Sequence, residues 1–261
     1  MAKDFLLLAA FRSGSTWLVD ILNHVHGTAA YGELFAVSEK KAGTEELTRD
    51  QSQKTTQYLE QTIRAYPLYY RETEQRRIRP FSTFSYLRSF YQQDGTTGFK
   101  LMYTQLAQHP EIWAYIRLYG ISVLHLVRQN HLDVIVSREM RKATRTTHRV
   151  VGAENVTPVQ ITLHAESLTS QMRSLQGNIE MARRLIKLSR VRSLELVYEE
   201  LSRDKSRFDP LWSFLQINPQ NQEPQSQLEK IVKAGYAQTI ANYDEVCDTL
   251  SGTEFAHLIG G

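Results

Sequence analysis

The sequence predicts a three-layer α/β fold, a central parallel sheet with helices on both faces, from the way short apolar runs alternate with helical patterns. Phe5 to Ala10 and Ile121 to Val127 are continuous apolar runs, each leading to a basic residue, Arg12 or Arg128, and then to a helical pattern. A third run, Leu194 to Tyr198, is followed by an acidic pair and another helix. Strands alternating with helices form right-handed β-α-β units and leave a ligand crevice at the carboxyl ends of the strands.

The helical patterns differ in clarity. Trp17 to His24 is amphipathic, and His164 to Leu188 carries apolar residues at Leu168, Met172, Leu175, Ile179, Ala182 and Ile186, which predicts a long amphipathic helix. Glu45 to Arg64 and Leu68 to Arg79 read as polar helices outside the sheet. Gln225 to Ile259 reads as largely helical, with Gly235 and Gly252 as interruptions.

Composition bounds the class. A chain of 261 residues, 41% hydrophobic, can bury an ordinary enzyme core, and the absence of repeats or a long Pro/Gly-rich linker predicts a single domain over 1–261. One cysteine, Cys247, excludes an internal disulfide framework and a cysteine cluster for zinc, and favours a reducing compartment. The apolar run at Phe5 is too short to span a membrane and lacks the flanks of a signal peptide, so a cytoplasmic location without stable membrane insertion is expected. A net charge of +3 with dispersed Lys and Arg does not point to nucleic acid.

Arg12-Ser13-Gly14-Ser15-Thr16-Trp17-Leu18 follows the first strand directly and opens the first helix. Gly14 permits a tight turn, Ser15 and Thr16 can cap the helix, and the free amides of its first turn form an anion site. Without those flanks the same tetrapeptide is equally a capped turn. A nucleoside triphosphatase loop requires a Lys before the Ser/Thr, which is missing, so a P-loop-like fold without ATP or GTP hydrolysis is predicted.

Here the chain resembles the sulfotransferases that use 3′-phosphoadenosine 5′-phosphosulfate (PAPS), and among them the bacterial carbohydrate type, similar to the nodulation-factor and trehalose enzymes. In that family a strand followed by Arg-Ser/Thr-Gly-Ser/Thr forms the 5′-phosphosulfate loop, matching Arg12, Ser13, Gly14, Ser15 and Thr16, with Trp17 next. The resemblance implies that Arg12 stabilises charge on the oxygen between phosphate and sulfate. It also likens Arg128 and Ser137, nine positions apart, to the pair that holds the 3′-phosphate. Gly32-Glu33-Leu34-Phe35 resembles the segment whose glutamate takes the acceptor's proton, making Glu33 the general-base candidate. Gly98-Phe99-Lys100 resembles the segment whose lysine approaches the sulfuryl group. The cytosolic branch has a catalytic histidine just after that lysine; Leu101, Met102, Tyr103 and Thr104 stand here instead, and His109 is a lesser alternative base.

Tyr198 in Tyr198-Glu199-Glu200-Leu201 resembles the tyrosine near the adenine, or is core. Thr239 to Val246 looks like a segment near the end of the nodulation-type enzymes, with no role assigned. Arg138, Arg141, Arg145 and Arg149 recur at helical spacing, a solvated face whose member Arg141 could touch the donor. The resemblance fails over about 36–97, which is expected to be a variable, mainly helical acceptor-binding insertion; its aromatics Tyr66, Tyr69, Tyr70, Phe81, Phe84 and Tyr86 line a pocket or pack helices.

The expected reaction is in-line displacement by a small-molecule hydroxyl, sugar, glycolipid or other metabolite, with adenosine 3′,5′-bisphosphate as product. No metal is expected, since neither Asp-x-Asp runs nor His clusters are present. A homodimer is compatible with the sequence. A non-catalytic module binding PAPS or the bisphosphate is the alternative, and a small-molecule kinase a weaker one, lacking the expected lysine and magnesium-binding acids.

Overall fold

A computed structural model of the protein describes residues 4–36, 53–64, 66–69, 79–144, 149–150, 159–219, 224–229 and 235–259. The chain divides into two compact units, 1–39 with 60–129 and 181–226, and 40–59 with 130–180 and 227–261.

The first unit is built on β1 (Phe5–Ala9), β2 (Thr28–Glu33), β3 (Thr96–Met102), β4 (Ser122–Val127) and β6 (Ser193–Val197), all parallel in the order β2-β3-β1-β4-β6. Every residue of β1, β3 and β4 is buried, as expected of central strands covered on both faces. One face packs α1 (Ser15–Asn23), α8 (Tyr198–Arg203) and α9 (Asp209–Leu215) through Leu7, Leu18, Leu22, Leu126, Leu201 and Leu211. The other packs α3 (Pro80–Phe90), α5 (Glu111–Tyr119) and the last turns of α7 (Ala165–Ser189) through Leu8, Leu87, Phe99, Ile116 and Ala182. This is the predicted P-loop-like, three-layer α/β class. After β1 the chain crosses to β2 on one side, and after β4 to β6 on the other. The order therefore reverses between β1 and β4, where open parallel sheets place their ligands.

β6, the third predicted strand, is an edge of the sheet, and of its five residues only Leu196 is buried. β2 and β3 were not foreseen. β3 begins at Thr96, so the last residues of the segment 36–97 belong to the sheet. Within 36–97 the helices are α2 (Gln53–Thr62) and α3. Leu68 and Tyr69, the described start of the second predicted helix, are irregular instead of helical, and 70–78, like 45–52, lie outside the described residues. Tyr66 and Tyr69 pack against Tyr86, Tyr86 against Phe35, Tyr66 against Phe90 and Phe84 against Tyr115, so they form an aromatic core on that sheet face. Phe81 is exposed, and Tyr70 lies outside the described residues.

On the same aromatic face a polar chain crosses the sheet. The Tyr103 hydroxyl meets His125 Nε2 at 2.7 Å, His125 Nδ1 meets Glu195 Oε2 at 3.1 Å, and Arg183 donates to both Glu195 oxygens at 2.9 and 2.7 Å. The Arg183 hydrogen bond is the main reason the Glu195 carboxyl is held below its ordinary value of 4.5. A depressed carboxyl contributes stability above its unfolded value and loses it as pH falls through the folded one. At pH 7 Glu195→Gln is therefore expected to melt about 2–4 °C below the wild type. That difference shrinks as the pH of the melting experiment is taken below the ordinary carboxylate range.

The second unit gathers α6 (His131–Thr144), the first turns of α7, α10 (Tyr236–Thr239) and α11 (Tyr243–Leu250) around Leu132, Val136, Leu168, Met172, Ile240 and Val246. The predicted helix His164–Leu188 is α7, displaced by one residue. The C-terminal stretch is less helical than expected. Leu228–Glu229 forms β7, antiparallel to β5 (Arg149–Val150), and Gly235 caps α10 instead of breaking it. The segment around Asn242, which carried no role in the sequence, clamps residues 161–163. Asn242 exchanges two side-chain hydrogen bonds with the backbone of Leu163 at 2.8 and 3.0 Å, and Ala241 N donates to Ile161 O at 2.8 Å. Among the described residues no helix is long and apolar enough to cross a membrane.

Candidate active site

The loop after β1 folds on itself before α1 starts. Ser13 is buried and its hydroxyl donates to the Ala10 carbonyl at 2.8 Å, so that side chain closes the turn and only its backbone can face a ligand. Arg12 and Gly14 both lie in the left-handed region, at φ 63° and 87°, the first uncommon for a residue with a side chain. Gly14 is the N-cap of α1, and no side chain caps the helix. The expected capping by Ser15 and Thr16 is not seen, because both lie inside the first turn, past the capping position. The first-turn amides of α1 thus have no side-chain cap, as an anion site at a helix start requires.

Gly14 is needed for a second reason: a Cβ there would stand less than 3.0 Å from Cδ2 and Cε2 of Tyr198. Tyr198 is 8% exposed and starts α8 under the loop. The Trp17 ring meets it edge-on at 5.4 Å and Phe208 at 5.9 Å, so the Trp17 side chain is a packing group. The Arg128 guanidinium lies 4.7 Å from the Tyr198 ring centroid, and its Nη1 donates to the Arg12 carbonyl at 3.0 Å. One arginine at the end of β4 thus holds the loop's strained residue and stacks on the tyrosine that packs against the glycine. This buried support is the described role of Tyr198.

Glu33 and Lys100 come together with that loop. Lys100 Nζ lies 3.1 Å from Glu33 Oε1 and donates to Thr16 Oγ1 at 3.1 Å. Gln105 Nε2 donates to Glu33 Oε2 at 2.7 Å. The juxtaposition depends on an irregularity in β2. Tyr31 pairs with Phe99 on the aromatic face, but the register slips at Gly32, so that Glu33 pairs with Lys100. Side chains alternate between the faces of a strand. An unbroken β2 would therefore turn Gly32 toward Lys100 and drive Glu33 into the aromatic core, whereas the inserted residue returns Glu33 to the α1 face. Lys100, 9% exposed in the middle of a sheet, has its charge matched by that carboxylate, as a buried cation requires.

The remaining candidates are carried by other elements. His109 is buried between Phe35 and Tyr69, at centroid distances of 5.2 and 5.7 Å, with Nδ1 3.5 Å from Glu111 Oε1; it belongs to the aromatic core. Ser137 and Arg141 lie on α6 in the second unit, Ser137 half-buried and Arg141 exposed. The arginine stripe does not continue as foreseen. Arg138 bonds Glu139 and Gln171, α6 ends at Thr144, Arg145 lies outside the described residues, and Arg149 belongs to β5. The sequence reading missed Gln105; the signal available was a Gln at the third position of a helix that follows the Lys100 strand. Among the described residues no three His, Cys, Asp or Glu side chains gather as a metal site would need.

No protein-family model matches the chain, and no curated protein matches it. Among solved structures, a sulfotransferase from Alicyclobacillus acidocaldarius is similar at 13% identity and a TM-score of 0.44, over 100% of this chain and 96% of that one.

Proposed function

We propose that the protein is a PAPS-dependent sulfotransferase acting on the hydroxyl of a small acceptor, a sugar, glycolipid or other metabolite. The observation that carries the reading is the contact of Glu33, Lys100 and Thr16, which sets a carboxylate and a buried cation against the anion-binding start of α1.

In this reading the amides of Gly14 to Trp17 and the Arg12 guanidinium bind the 5′-phosphosulfate end of the donor. Lys100 offsets charge on the transferring oxygens, and Glu33 takes the acceptor's proton. The acceptor O–H bond breaks toward Glu33 as its oxygen bonds to sulfur. The bond from sulfur to the bridging oxygen breaks in line, and adenosine 3′,5′-bisphosphate departs with that electron pair. Fixed cations and hydrogen-bond donors supply the electrostatic work. Arg128 is assigned the 3′-phosphate. Ser137, Arg141 and a contact of Tyr198 with adenine enter through the family resemblance alone, as do the cytoplasmic location and a homodimer.

Calorimetric titration with adenosine 3′,5′-bisphosphate, with AMP as control, tests the donor site. Tight binding of the bisphosphate and weak binding of AMP are expected, with the preference lost in Arg128→Ala. Equal or absent binding by the wild type overturns the reading.

A further inference from the structure

We propose that Gln105 is the positioning residue for the general base, fixing Oε2 of Glu33 so that Oε1, the oxygen shared with Lys100, is the one that takes the acceptor's proton. The assignment rests on the sulfuryl-transfer reading and goes beyond it. Gln105 is 5% exposed and lies in the first turn of α4 (Tyr103–Gln108), which follows β3 without a break. Its Oε1 accepts from the Met102 amide at 3.0 Å, closing the helix start, while its Nε2 donates to Glu33 Oε2 at 2.7 Å. Both partners dictate the orientation of the amide: a backbone N–H can only donate and a carboxylate can only accept. Flipping the side chain would set donor against donor and acceptor against acceptor.

The two carboxylate oxygens are therefore unequal. Oε2 is tied to a side chain that is itself tied to the backbone of the lysine's own strand. Oε1 faces Lys100, whose ammonium also bonds Thr16 at the start of α1. When Lys100 turns to the sulfuryl oxygens, Glu33 Oε1 is freed, and Gln105 keeps the carboxylate from rotating with it. The proton balance is that of the proposed reaction: the acceptor hydroxyl loses its proton to Oε1, and Gln105 neither gains nor loses one.

The test separates this role from helix capping. Gln105→Glu retains an oxygen acceptor for the Met102 amide, the capping-box arrangement common at this position, but replaces the donor to Glu33 with a second carboxylate that repels it; Gln105→Met removes both bonds at similar volume without adding that charge. Release of adenosine 3′,5′-bisphosphate from PAPS is measured with water as acceptor and with a panel of trehalose, N-acetylglucosamine and a simple alkanol, beside calorimetry with the bisphosphate. Both variants are expected to lower kcat by about ten- to a hundredfold, the scale of a misplaced reacting group. Bisphosphate affinity should stay within about threefold, since the hydrogen bonds of Gln105 go to Glu33 and the Met102 amide and not to the donor-binding amides. In a Glu33→Gln background the same substitutions should change kcat less than about twofold, because there is no longer a base to position. An equal loss in both backgrounds, or a full kcat in Gln105→Glu, overturns the assignment while leaving the sulfotransferase reading intact. Bisphosphate binding without any turnover by the wild type overturns the enzymatic reading itself.

Discussion

Glu33→Gln is expected to reduce sulfuryl transfer by roughly a hundredfold to ten-thousandfold, the range of a lost general base, while leaving bisphosphate affinity within about threefold. The substitution keeps the size of the side chain, but both of its partners, Gln105 and Lys100 at 2.7 and 3.1 Å, are donors, so the amide keeps one of the two bonds and the loss combines the missing base with the missing counter-charge of Lys100. Its signature is a split: kcat falls with little change in the donor dissociation constant, as happens when an interaction made in the transition state is removed. Initial rates with radiolabelled PAPS, beside calorimetry on the same preparation, check it. An unchanged rate would reduce Glu33 to the counter-ion of Lys100 and move the base to another residue. His109 is a poor substitute, enclosed between Phe35 and Tyr69.

Gly14→Ala is expected to abolish detectable bisphosphate binding and to lower the melting temperature. Two costs add at this position. The left-handed backbone at φ 87° charges a side chain about 1–2 kcal/mol, and the new methyl group overlaps the Tyr198 ring, which cannot retreat without disturbing Trp17 and Arg128. A fall of about 5 °C or more corresponds to that sum. Pairing it with Tyr198→Ala separates the causes. In the Tyr198→Ala background Gly14→Ala should cost less stability than in the wild type, since the overlap is gone, and binding should stay lost, since Arg128 has lost its platform. Full binding in Gly14→Ala would show that the turn does not shape the anion site.

The parts of the fold legible in the sequence are those where one physical demand dominates. β1 and β4 are buried on both faces and read as continuous apolar runs, and α7 carries its apolar residues at helical spacing. β3 was illegible because it meets several demands at once. Gly98 makes room for the Phe5 ring, against which a Cβ would collide, and Lys100 is a charge in the sheet interior with its partner on the next strand; neither residue is a usual strand former. β2 holds two alanines, a glycine and a glutamate for a similar reason, because its end serves the site. The candidate residues Arg12, Glu33 and Lys100 were legible through family-like spacing, but what joins them was not. Gln105 bonds Glu33 across 72 positions and Arg128 bonds Arg12 across 116, and no local pattern records such pairs. Trp17 and Ser13 show the converse: motif residues whose side chains turn inward to build the loop.

The slipped register at Gly32 gives β2 a change of phase. Upstream, odd and even positions answer to the two hydrophobic layers; downstream, the same parity has been exchanged, and a single residue of chain length decides whether a carboxylate meets a cation or a ring of phenol and benzene groups. Site and core on this strand are in consequence separately adjustable. Substitutions at Ala29 or Tyr31 can retune the packing without re-aiming Glu33, while the loss of one residue between Tyr31 and Glu33 would leave composition almost untouched and invert the chemistry that the strand presents.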